Sequence, residues 1–211
     1  DNYVYVIPDD NFRPNPCYCK DCQAKMDISM GQKGVQSQLV WEFVAKVAEH
    51  VKKKYPGKKV VGLPYEGYLV PPKNLKLPDN VVAHICVNPY VIYSGLPEYD
   101  RQADQFLVDW GGLVGEITVW HYFLPYADYP YLMPRRLAKW YMSHPAVKAS
   151  FIELMDTTLR KPNLPKSPEH KCVVSTDLAQ SHLNLYFSMK AMWGAAFDID
   201  KELETYYELF H

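Results

Sequence analysis

Apolar and polar positions along this chain follow two periods, and each switch between them marks an element. Residues 3–8 are rich in Val, Tyr and Ile at period two and stop at Asp9-Asp10-Asn11, which predicts a strand delivering carboxylates to a loop. Over 35–54 the period becomes helical. Val40, Phe43, Val44, Val47, Ala48 and Val51 share one face, with Glu42, Lys46, Glu49 and Lys53 outside it. Tyr55-Pro56-Gly57 ends that helix, and a strand over 60–64 finishes at Pro64-Tyr65-Glu66-Gly67. The unit then repeats. Strands are predicted over 82–87, 117–120 and 151–154, and helices over 99–110, 135–143, 177–193 and 200–210. The helix over 99–110 turns Ala103, Phe106, Leu107 and Trp110 inward.

Strand, loop and helix alternate about five times, a rhythm that argues for neighbouring parallel strands joined by crossover helices. The expectation is one domain over 1–211, interrupted by a Pro-rich loop insertion at about 160–176. No Gly-x-Gly-x-x-Gly or Walker-type loop follows any strand, so a nucleotide-binding doubly wound fold gives way to a TIM-type β/α barrel. Five strands cannot close an eight-stranded barrel. The carboxy-terminal strands of a barrel are therefore expected here, with the amino-terminal ones on absent residues. The start at Asp1-Asn2-Tyr3, without Met, fits a mature, processed or partial product.

Lys+Arg 23 against Asp+Glu 24 leaves the chain nearly neutral, which argues against a nucleic-acid partner. Lys52-Lys53-Lys54 reads as a solvated helix end. No apolar run is long enough to span a bilayer, and no segment resembles a signal peptide. Aromatic residues make up 14 %, more than a core requires, so part of the surplus is expected to line a groove.

That surplus concentrates at strand ends. Glu116-Ile-Thr-Val-Trp-His-Tyr-Phe123 is an apolar run closing on Trp120, His121 and Tyr122, rings that stack on a flat ligand and hydrogen-bond its rim as a sugar requires. Parallel sheets gather chemistry at the carboxyl ends of their strands. Asp9, Asp10, Glu66, Tyr90, His121, Tyr122 and Glu153 all fall there, with Tyr65 beside Glu66.

Three of the five cysteines crowd into Cys17-Tyr-Cys19-Lys-Asp-Cys22. Zinc would need a fourth ligand such as His50, His170 or Cys172. The preferred reading is a disulfide staple, Cys19 to Cys22 or Cys17 to Cys22.

Taken in order, Pro8-Asp9-Asp10-Asn11 leading into the cysteine loop, Pro72-Lys-Asn-Leu-Lys-Leu-Pro-Asp-Asn-Val81, Ile117-Thr-Val-Trp-His-Tyr-Phe123 and Leu183-Asn-Leu-Tyr-Phe-Ser-Met-Lys-Ala-Met-Trp193 resemble the bacterial family of domain of unknown function 4838. The resemblance spans nearly the whole chain. It implies a glycoside-hydrolase-like barrel that accompanies α-glucuronidase-like amino-terminal domains. It also matches Asp10 to an acidic residue before the cysteine loop, and Trp120-His121-Tyr122 to a Trp-Asp-Tyr-like triplet. His121 stands where the family more often has Asp, which removes a carboxylate.

Glycoside hydrolysis commonly needs two carboxyl groups, one protonating the leaving oxygen and one acting as base or nucleophile. Asp10, Glu66 and Glu153 are the catalytic candidates, with Asp156 nearby. Asp9, Tyr65, Tyr90, Trp120, His121 and Tyr122 are the substrate-binding ones. Asp9 also suits helix capping, and His121 also suits a satisfied core position. The leading expectation is a secreted, extracellular or periplasmic carbohydrate-active enzyme acting on a polysaccharide or uronic-acid-containing glycan, without a cofactor. The alternative is a non-catalytic carbohydrate-binding or structural subunit, partnered by the missing amino-terminal part or by other subunits.

Overall fold

The computed structural model describes residues 2–9, 17–87, 96–123, 132–154, 176–194 and 196–210, with the side chains of 122, 123, 154 and 176–181 outside the description. The strands are β1 (Tyr3–Val6), β2 (Lys59–Gly62), β3 (Val81–Val87), β4 (Glu116–Phe123) and β5 (Val147–Leu154). The helices are α1 (Lys20–Gln23), α2 (Ser37–Lys54), α3 (Pro97–Gly111), α4 (Pro134–Ser143), α5 (Thr176–Met192) and α6 (Ile199–Phe210). Asp10, Tyr90, Asp156, His170, Cys172 and most of the expected insertion lie outside the described residues.

One five-stranded parallel sheet runs β1-β2-β3-β4-β5 in chain order. Tyr3 lies opposite Lys59 and Tyr5 opposite Val61, while Val60 lies opposite Val81 and Gly62 opposite Ala83. The parallel α/β expectation holds, but the sheet is not closed. Closing a barrel requires about eight strands at a fixed tilt, and five span only part of that circumference. β1 is therefore an edge, and Tyr3, Val4, Tyr5 and Ile7 are exposed along it. β3 is central, so six of its seven residues are buried.

The chain divides into two compact units, Asp1–Val87 with Asp100–Trp120 and Asn88–Tyr99 with His121–His211. In the first, α2 covers one face of β2. Its buried stripe is Val40, Trp41, Val44, Ala45, Ala48 and Val51, whereas Phe43 is 61 % exposed. The stripe is thus rotated from the expected one, because Trp41 takes the inward position. Trp41 fits through a missing side chain: a Cβ on Gly62 would stand 2.6 Å from its ring. Gly62→Ala is expected to cost about 1–3 kcal/mol through overpacking, read as a lower urea midpoint with unchanged slope. An unshifted midpoint would show that the ring moves aside freely. Beyond α2, Tyr55 N–H donates to the Val51 carbonyl at 2.7 Å, and Gly57 at φ 88° turns the chain toward β2.

In the second unit α4 packs on α5. Leu137 and Ala138 are buried on the first, and Leu183, Leu185, Phe187 and Ala191 on the second. Asn184 Oδ1 accepts from the Met133 N–H at 2.8 Å and fixes the entry to α4. Asp198 caps α6, its carboxylate accepting the Asp200 N–H at 3.0 Å and the Lys201 N–H at 3.2 Å. Glu202 joins α6 to α5 by accepting from Lys190 and Tyr186.

Candidate functional site

Successive strand residues point to opposite faces, so the register sorts the side chains of the first unit into two sets. Val60 and Gly62 face α2, while Tyr3, Tyr5, Lys59 and Val61 face away. That second face is polar and aromatic. Toward the strand starts, the Tyr3 hydroxyl donates to Glu116 at 2.9 Å, and Lys59 pairs with the same carboxylate and lies 5.7 Å over the Tyr3 ring. The hydrogen bond to Glu116 raises the Tyr3 phenol pKa and also that of the Lys59 ammonium. Further toward the strand carboxyl ends comes a row of rings. Tyr5 meets His84 edge-on at 6.3 Å between centroids, and His84 meets Trp120 at 5.7 Å.

His84 is the centre of this row. It is 5 % exposed, its Nδ1 lies 2.6 Å from the Thr118 hydroxyl, and burial pushes its pKa down to about 4. The imidazole is therefore neutral at pH 7, with its Nδ1 edge engaged by Thr118. Tyr5, by contrast, is 60 % exposed, and Trp120 is half-buried. A buried neutral ring thus sits between two rings that solvent reaches, each carrying a polar edge.

The loop after β2 holds Tyr65 and Glu66, and neighbouring segments pin it. Its carbonyls accept from Gln36 N–H (onto Gly67, 2.9 Å), Trp41 Nε1 (onto Tyr68, 3.1 Å), Trp110 Nε1 (onto Leu69, 2.8 Å) and Ser37 Oγ (onto Val70, 2.5 Å). Within this frame Glu66 adopts φ 45°, the one positive φ among described non-glycine residues. Such a conformation costs about 1–3 kcal/mol and persists only where the surroundings over-determine it. Glu66 is half-buried, as is Tyr65, whose ring lies 6.5 Å from that of Tyr68.

Other expected site residues are distributed differently. Asp9 is exposed beyond β1, and Asp10 and Tyr90 lie outside the described residues. Tyr122 is on β4 with its side chain outside the description. His121 belongs to the second unit. It is 2 % exposed, with Nδ1 at 2.5 Å from the Tyr141 hydroxyl and its ring 4.8 Å from that of Trp140. Strand alternation explains why it and Trp120 do not share a face. Glu153 is half-buried on β5, also in the second unit. Tyr5, His84 and Thr118 were not among the expected site residues. Period-two reading of β1 would have placed Tyr3 and Tyr5 together, and a histidine in the otherwise apolar run 81–87 was the other available signal.

At the cysteine loop, Cys17, Cys19 and Cys22 are free thiols whose sulfurs lie within 4.8 Å of one another. The expected disulfide gives way to a three-way convergence, because the turn of α1 brings Cys22 back over Cys19 while Cys17 approaches from the preceding segment. The Cys22 N–H, ahead of the neighbouring thiols, lowers the Cys19 pKa, and hydrogen bonds with Cys19 and then Cys17 push Cys22 up to about 11.

A family model described as "Domain of unknown function (DUF4838)" matches residues 2–211. No curated protein and no solved structure matches the chain.

Proposed function

Because the chain belongs to the DUF4838 family, whose description assigns no activity, we propose its function from the sheet face: it is a carbohydrate-active protein whose binding platform is the row Tyr5, His84 and Trp120. The observation that carries this reading is that row, two solvent-accessible rings flanking a buried neutral imidazole. Exposed aromatic faces take the C–H face of a pyranose, while the Tyr5 hydroxyl and the Trp120 indole N–H reach its hydroxyls. A stacked nucleobase would use similar rings, but a net charge of −1 offers no cationic track for a phosphate backbone.

The reaction is hydrolysis of a glycosidic bond in a polysaccharide or uronic-acid-containing glycan. Asp10 is the proton donor, and Glu66, fixed by the pinned loop, is the second carboxylate; Glu153 is the remaining candidate. The sheet is read as an arc of a β/α barrel. Its polar layers, Tyr3-Lys59-Glu116 and then Tyr5-His84-Trp120, line the inner side, and α2 lies outside. One observation favours the alternative, a non-catalytic glycan-binding subunit: Glu116, a carboxylate on the same face, is tied to Lys59 and Tyr3 toward the strand starts.

Affinity electrophoresis of the whole chain through a panel of neutral and uronic-acid-containing polysaccharides, with reducing-sugar release measured in parallel, separates these readings. Retention by at least one glycan is expected, with Trp120→Ala weakening it about tenfold, or about 1.4 kcal/mol. Asp10→Asn is expected to keep retention and abolish sugar release. Retention without release by the unsubstituted chain selects the binding subunit. Absence of retention, or retention indifferent to Trp120→Ala, removes the platform.

A further inference from the structure

We infer that Cys17, Cys19 and Cys22 form a three-thiolate site for a single zinc ion. The sulfurs lie within 4.8 Å of one another without bridging. At a Zn–S length of about 2.3 Å, tetrahedral thiolates stand about 3.8 Å apart, so the loop needs only a contraction of roughly an ångström.

The loop is knitted well enough to hold that shape. Gln23 N–H donates to the Cys19 carbonyl at 3.0 Å, Lys25 N–H to Cys22 at 3.1 Å, and Asp27 N–H to Val35 at 3.0 Å, which closes the segment onto the start of α2. Binding displaces three thiol protons to solvent and transfers no electron, leaving the zinc and three thiolates with one net negative charge. Three residues beyond Cys22, Lys25 pairs with Glu42 at 2.5 Å and so ties the end of this segment to α2. A disulfide would use only two of the three sulfurs. Zinc suits the set because a d¹⁰ ion imposes no geometry of its own and takes sulfur readily. The exposure of Cys17 and Cys19 leaves the three sulfurs accessible to an incoming ion.

The test uses the full chain, reduced and stripped of metal, titrated with Co²⁺ and then Zn²⁺. One equivalent of cobalt is expected to give a sulfur-to-metal charge-transfer band with tetrahedral visible bands, and zinc to bleach both. Native mass spectrometry is expected to find one zinc per chain. Cys17→Ser, Cys19→Ser and Cys22→Ser should each weaken zinc at least tenfold against a chromophoric chelator, while Cys86→Ser leaves affinity unchanged. Circular dichroism of each metal-free variant confirms its fold. No charge-transfer band, a band that survives Cys19→Ser, or a Cys19–Cys22 disulfide formed in air despite bound zinc would overturn the site.

Discussion

Truncating Trp41 to alanine is expected to lower the unfolding free energy by about 3–5 kcal/mol, the range for removing a large aromatic from a packed core. Trp41 is 0 % exposed, its ring centroid lies 4.3 Å from that of Trp110, and it fills the space that Gly62 leaves open. Its indole N–H also satisfies the Tyr68 carbonyl at 3.1 Å, so truncation removes a hydrogen bond together with packing. Against a total stability of about 5–15 kcal/mol this is a large fraction. Urea unfolding followed by tryptophan fluorescence and circular dichroism measures it. A loss under about 1 kcal/mol would mean that the interface between α2 and β2 collapses to fill the hole.

The second large effect is expected in acid. His84 has a folded pKa of about 4 against an ordinary 6.5, with burial as the cause. A depressed histidine pKa means that the unfolded chain takes up the proton first. Its contribution is therefore fully present above about pH 6.5 and is lost as the pH falls through about 4. The depression corresponds to about 3 kcal/mol. Unfolding curves at pH 7 and pH 4.5, compared with His84→Asn, isolate this contribution, since the amide keeps a polar partner for Thr118 and does not titrate. Equal acid sensitivity in the two proteins would assign the effect to other groups.

The order of strands and helices was legible because period two and period 3.6 leave different imprints, and each predicted helix lies within two residues of the observed one at either end. The face of α2 was less legible. Apolar spacing favoured Phe43, and only the hole at Gly62, a property of the neighbouring strand, makes room for Trp41. The same holds for the candidate site. Glu66 and Trp120 stood out at strand ends, but His84 hides in an apolar run, and its role depends on Tyr5 and Thr118 arriving from other strands. His121 looked equivalent to Trp120 in the linear sequence, yet one step along a strand reverses the side-chain direction. Convergence of three sulfurs depends on a four-residue helical turn too short for periodicity to register.

The exposed edge strand has a consequence for handling this chain alone. β1 turns a row of peptide N–H and C=O groups outward, flanked by Tyr3, Val4, Tyr5 and Ile7, with neither proline nor lysine within Tyr3–Val6 to discourage a newcomer. Such an edge is a template that another extended segment can copy, including β1 of a neighbouring molecule. Self-association that grows with protein concentration and recedes when a lysine replaces Val4 follows from the edge alone, whatever ligand the sheet face accepts.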